Sequence, residues 1–140
     1  MLKPLATLST LSLVFLAACL PGGEPSASQP VPTEAELARI WRLERLNGET
    51  FAERATLDLT DPARATGQAP CNRWFAAREG RLPAFRFGMF GATRMACPAL
   101  EAESRYLGAM AEVDATSLRD GRLILTGPDG LKLEFLPQTP

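Results

Sequence analysis

The sequence predicts an α+β domain with a largely antiparallel sheet. Short runs that alternate apolar and polar side chains fill most of the second half of the chain and the stretch before it. Asn-Gly and Asp-Gly pairs separate several of these runs, and one segment, Pro98 to Glu112, changes to helical periodicity. Strands on both sides of a single helix, joined by tight turns, lie side by side and antiparallel.

The elements follow in order. Thr33 and Glu36 have the spacing of a capping box, which predicts a short helical turn before the first strand. Trp41-Arg42-Leu43-Glu44 alternates as a half-buried strand does, and Asn47-Gly48 turns it. Ala55, Leu57 and Leu59 alternate with Thr56, Asp58 and Thr60 in a second strand that Asp61-Pro62 ends. Ala63 to Gln68 is a short third strand, and Cys71 to Ala77 a fourth, with Glu79-Gly80 as its turn. Leu82, Phe85, Phe87, Met89 and Phe90 form an apolar block that reads as core.

Pro98 suits the first position of the helix, and Glu101 and Glu103 suit its positive first turns. Glu101 and Arg105 have i,i+4 spacing for a surface ion pair, while Leu100, Leu107, Met110 and Ala111 form the stripe expected to pack. Ala115 to Leu118, the Asp120-Gly121 turn and Leu123-Ile124-Leu125 make a hairpin. Gly127-Pro128-Asp129-Gly130 turns into a last strand, Leu131 to Leu136.

Before this domain lies a segment of another kind. Lys3 precedes an apolar stretch from Leu5 to Ala18, roughly 14 residues where a membrane span needs about 20. Its end, Leu16-Ala17-Ala18-Cys19, resembles the lipobox of bacterial lipoproteins. That resemblance implies a signal peptide over 1–18, removal of that signal, and lipid on Cys19; an ordinary cleaved signal with an incidental cysteine is the alternative. Two or more acyl chains anchor a protein stably. Leu20 follows the cysteine without an Asp, which by analogy with enteric sorting rules points to the outer membrane, facing the periplasm. Residues 19–33 contain a Pro-, Gly- and Ser-rich stretch and read as a tether, leaving 34–137 as one folded domain.

With Cys19 lipidated, Cys71 and Cys97 remain. An exported pair has one possible disulfide, which on a chain-entropy argument stabilises the fold by about 3 kcal/mol; two separate buried thiols are the alternative.

Trp41-x-Leu43 with Asn47-Gly48, Gly67 before Cys71-Asn72-Arg73, Thr93-Arg94-Met95-Ala96-Cys97, Glu101 or Glu103 opening a helix, and Leu123-x-Leu125 closing on Leu133-x-Phe135 together resemble the META domain. The form resembled is that of the HslJ-like heat-shock lipoproteins, over about residues 40–136. The family pattern has Gly before the first cysteine, where this chain has Pro70, so the turn there is expected to differ locally. The resemblance implies an open, or cracked, antiparallel β-barrel with one helix packed across its gap. It is similar in outline to the pilot lipoproteins that escort secretin subunits. It also implies a link to envelope stress, drug tolerance or secretion, and it brings no catalytic activity.

The residues agree with a non-enzyme. There is no histidine, which removes the commonest general base and the commonest zinc ligand. After the signal the only lysine is Lys132, no serine lies in a nucleophile motif, and Glu101 and Glu103 point apart on a helix. Two cysteines 26 positions apart without histidine do not assemble a tetrahedral metal site, and no cofactor is expected.

Removing Lys3 leaves 14 basic and 16 acidic side chains, a formal charge of −2, which excludes a globally basic nucleic-acid binder. The charge is uneven. From Cys71 to Cys97 stand five arginines (Arg73, Arg78, Arg81, Arg86, Arg94) and one acid, Glu79, a net of +4. A recognition patch of Asn72, Arg73, Arg78, Thr93 and Arg94 is one reading, since guanidinium pairs well with phosphate or carboxylate. The other is that Asn72 and Thr93 satisfy strand ends and that alternation sends the arginines to different faces. The expectation is a monomeric, non-enzymatic envelope lipoprotein that binds an unidentified protein or lipid. A pilotin-like chaperone holding an apolar peptide or lipid tail in the barrel gap is the second reading.

Overall fold

The computed structural model describes residues 30–139. The signal segment, Cys19 and the tether as far as residue 29 lie outside the described residues. A short helix α1 (Glu34–Leu37) opens the domain, and the expected capping box is formed: Glu36 N donates to Thr33 Oγ1 at 3.3 Å and Thr33 N to the Glu36 carboxylate at 2.8 Å. The Thr33 N–H foremost, and then the Thr33 hydroxyl donating to the same carboxylate at 2.8 Å, hold the Glu36 carboxyl below its usual range.

Ten strands follow among the described residues: β1 (Ile40–Leu46), β2 (Glu49–Thr50), β3 (Thr56–Asp58), β4 (Arg64–Gln68), β5 (Arg73–Glu79), β6 (Arg86–Phe87), β7 (Gly91–Ala92), β8 (Ala115–Arg119), β9 (Arg122–Thr126) and β10 (Lys132–Pro137). The helix α2 (Leu100–Ala111) separates β7 from β8. Every pairing is antiparallel, in the order β6-β5-β4-β3-β1-β10-β9-β8, with β2 beside β1 and β7 beside β5. The seven main strands fall where alternation places them. The two-residue strands β2, β6 and β7 are too short for a period to show.

The turns confirm their chemistry. Asn47 and Gly48 have φ of 52° and 83°, and Asp120 and Gly121 have 50° and 74°. Two consecutive positive φ values define the hairpin turn whose twist matches that of its strands. In β1, Trp41 and Leu43 face inward, but the next inward residue is Leu46, which breaks strict alternation. The register against β10 slips between Leu43 and Arg45. A bulge adds one residue there and moves Leu46 to the core side.

The sheet curls into a nearly closed barrel. Its edges do not pair strand to strand; the segment Pro83–Phe85 crosses between them. Thr116 N donates to Pro83 O at 2.9 Å, Phe85 N donates to Asp114 O at 3.0 Å, and Ala84 bridges Ala115. Side chains fill the interior: Trp41, Trp74, Tyr106, Phe135 and the inward leucines of β1, β9 and β10 are almost fully buried. Trp74 is the hub, with ring centroids 6.0 Å from Phe87, 5.3 Å from Phe90 and 6.3 Å from Tyr106.

Four expectations are corrected. Met89 is not core but 92 % exposed, because β6 ends at Phe87 and the chain bends at Met89, breaking the alternation. The helix starts at Leu100, not Pro98, with Ala99 as its cap residue. Its buried face is Glu103, Tyr106 and Met110, whereas Leu100 and Ala111 are exposed. The helix is rotated so that two polar atoms, the Glu103 carboxylate and the Tyr106 hydroxyl, enter the barrel end and find partners there. Arg105 pairs with Glu49 across the surface at 3.4 Å instead of with Glu101.

Candidate functional site

Cys71 and Cys97 form a disulfide, with Cα atoms 5.8 Å apart, joining the start of β5 to the segment before α2. Around this bridge the polar side chains bond to one another. Glu103 reaches down from the first turn of α2, where the helix dipole favours a negative charge. Its Oε2 accepts from the backbone N–H groups of Cys71 and Asn72, both at 2.8 Å, and its Oε1 accepts from Asn72 Nδ2 at 2.6 Å.

Asn72 is 2 % exposed, and its side-chain amide is fully used. Nδ2 donates also to Met95 O at 3.1 Å, while Oδ1 accepts from Thr93 Oγ1 at 2.9 Å and from Met95 N at 2.7 Å. Thr93 Oγ1 accepts in turn from Arg73 N at 3.2 Å. This web ties β5, the segment 93–97 and α2 into one unit. Buried polar groups paired in this way specify one geometry, and leaving any of them alone is costly.

Pro70 fits the same turn. The turn closes through Ala69 N donating to Asn72 O at 2.7 Å, and Glu103 satisfies the next two N–H groups, so none is required of residue 70.

A second polar cluster lies deeper. Thr56 Oγ1 accepts from Gln68 N at 3.0 Å, and Thr56 O accepts from Tyr106 Oη at 3.1 Å. Burial pushes the Tyr106 hydroxyl well above its usual range, partly offset by the Trp74 side chain. This cluster stitches β3 to β4, which share one register pair, Asp58 with Thr66. Gly67 is required here: a Cβ would lie 2.0 Å from Thr56 O.

The expected patch of five residues therefore divides. Asn72 and Thr93 are structural, spent on internal bonds. Arg73 and Arg94 are exposed beside them, and Arg94, Met95 (62 % exposed) and Leu100 (42 % exposed) rim an open depression at the bridged end. Arg78 does not belong to the patch. It lies six residues beyond Asn72, about 20 Å along the strand direction, and its side chain is only 4 % exposed. Arg78 Nη2 pairs with Glu34 at 2.7 Å, Nη1 donates to Asp61 O at 3.1 Å, and the guanidinium lies 5.1 Å from the Phe85 ring centroid. Arg86 pairs with Glu79 at 3.5 Å. Of the five arginines, Arg73, Arg81 and Arg94 have no carboxylate within 4.0 Å among the described residues.

Sequence reasoning missed Glu103 as the centre of the web, although its i,i+3,i+7 spacing with Tyr106 and Met110 signals a shared face. It also missed Arg64, which lies 5.6 Å from the half-exposed Phe75 ring on the outside of β4 and β5. Among the described residues no three His, Cys, Asp or Glu side chains gather as a metal site, and no helix is long and apolar enough to cross a membrane.

The family model of the META domain matches residues 35–140. The fold is similar to the NMR structure of a protein from Burkholderia xenovorans, with a TM-score of 0.64 and 26 % identity, covering 86 % of this chain and 98 % of that one. A second NMR structure is similar in fold, with a TM-score of 0.59 and 18 % identity, covering 76 % of this chain and 95 % of that one. No curated protein matches the chain.

Proposed function

Since the chain belongs to the META domain family, we propose that it is a lipid-anchored, non-catalytic binding module of the bacterial envelope, serving envelope stress or drug tolerance. The observation that carries this reading is the web at the bridged end. Glu103, Asn72 and Thr93 are consumed by mutual bonds, so they are a mounting and not a reaction centre. What the mounting presents is Arg73, Arg94, Met95 and Leu100, a mixture of cationic and apolar side chains on a fixed base. Arginine and methionine are enriched in the contact surfaces of proteins.

Glu101 and Glu103 do not act as an acid/base pair in this reading: one is exposed and the other is enclosed by three donors. The filled interior favours surface recognition over the pilotin-like alternative, which needs room for an apolar segment inside the barrel.

A photo-crosslinking side chain in place of Arg94, in the full chain in its own cells, tests the reading. A discrete protein adduct is expected from that position and not from Asp129. Equal or absent adducts at both positions would overturn it. Labelled palmitate incorporation tests the anchor, with loss expected for Cys19→Ser.

A further inference from the structure

We infer that the outer face of β4 and β5 is a docking groove for an extended acidic peptide segment, with Phe75 receiving an apolar side chain and Arg64 and Arg73 receiving carboxylates. This rests on the binding-module reading and gives it a partner chemistry. Phe75 stands on the solvent side of β5, 49 % exposed, with its ring lying over Gly91 of β7 and the rest of it open to solvent. It lines an open depression with Ile40, Asp58, Arg64, Thr66 and Arg73.

The charges around the ring are unspent. Arg64 lies over it, with the guanidinium carbon 5.6 Å from the ring centroid, and Arg73 is two residues before it on the same face of β5. Neither has a carboxylate within 4.0 Å among the described residues. The one acid of the depression, Asp58, turns its Oδ1 to Thr60, accepting from its N–H at 2.9 Å and its hydroxyl at 2.7 Å. An aromatic ring flanked by free guanidiniums is the composition of an interface hot spot. Guanidinium binds carboxylate through two parallel hydrogen bonds, which fixes the register of a bound strand.

The shape favours a peptide over a bilayer. The apolar groups, Ile40 and Phe75, line a depression. A membrane-binding surface needs its apolar groups on a protruding crest.

The test is an NMR titration of the detergent-solubilised full chain with a synthetic peptide of about ten residues, glutamates around a central leucine, beside its lysine counterpart. The acidic peptide is expected to shift the amides of residues 64–68 and 73–75. Its affinity should fall about tenfold in Phe75→Ala and in Arg64→Glu. Both positions are exposed, and unchanged thermal midpoints of the variants exclude misfolding. No binding of the acidic peptide, equal binding of the lysine peptide, or unchanged affinity in both variants overturns the inference. So does binding to phosphatidylglycerol vesicles that is lost in the variants while the peptide fails to bind. An Arg94 crosslink that persists in Phe75→Ala would sink the groove while leaving the binding-module reading intact.

Discussion

The two ends of the barrel each bury a charged side chain, and they satisfy it very differently. At the bridged end Glu103 has three N–H donors, and Asn72 has all of its side-chain bonds filled. At the seam end, where Pro83–Phe85 crosses the gap, Arg78 Nε and the Thr116 hydroxyl have no partner among the described residues. The contrast follows from donor arithmetic. A carboxylate needs only a few donors, and one turn of backbone supplies two. A guanidinium carries five N–H groups, more than a strand end provides. The bridged end is therefore expected to be rigid and the seam end yielding.

The largest test is Glu103→Ala. Removing the carboxylate leaves three buried donors unpaired and should lower unfolding stability by about 4 kcal/mol, measured by urea titration. A loss under 1 kcal/mol would mean that the web is not what holds this end. Replacing both Cys71 and Cys97 by Ser comes next, with a cost of about 3 kcal/mol that a reducing agent should reproduce in the parent chain. At the other end Glu34→Gln should cost only about 1 kcal/mol, since Glu34 is half exposed although it faces buried Arg78. A cost equal to that of Glu103→Ala would erase the contrast. Thr116→Val removes a buried hydroxyl that has no partner and should raise stability by about 0.5 kcal/mol.

The smallest effect lies outside both ends and serves as their baseline. The Lys132 side chain, 2.6 Å away, holds the Glu134 carboxyl below its usual range, with Arg45 and Arg122 adding attraction and burial opposing. A carboxyl lowered in the folded state contributes stability above its unfolded pKa of about 4.3, and that contribution is lost as pH falls through the folded value. Glu134→Gln should thus flatten the acid limb of a pH–stability curve and leave stability near neutrality slightly lower. An unaltered acid limb would count against the assignment.

Local chemistry was legible in the sequence where it repeats or is confined to a few residues. The main strands, the Asn47-Gly48 and Asp120-Gly121 turns and the Thr33–Glu36 box all follow from neighbours along the chain. Arg78, placed in the exposed patch by its charge, instead shares one parity of β5 with buried Trp74 and Ala76, a signal that the charge count overrode. Glu103 was not legible, because its donors lie 31 and 32 positions away and its acidic side chain suits an exposed first turn equally well. The bulge in β1 hides in the same way: only pairing with β10 shows why Leu46, and not Arg45, turns inward. Phe75 belongs to the alternation but was passed over, since an aromatic in a strand reads as core until its neighbours place it outside.

The Pro83–Phe85 crossing has a dynamic consequence. A true strand pair zips with a ladder of bonds, but this closure rests on the two backbone hydrogen bonds that bridge Ala84 to Ala115. Amide protons opened by local fluctuation exchange with solvent in proportion to how easily the structure parts at that place. The amides of Phe85 and Thr116 should then exchange long before those of β1 and β10, so the barrel breathes along one line while the opposite wall stays shut.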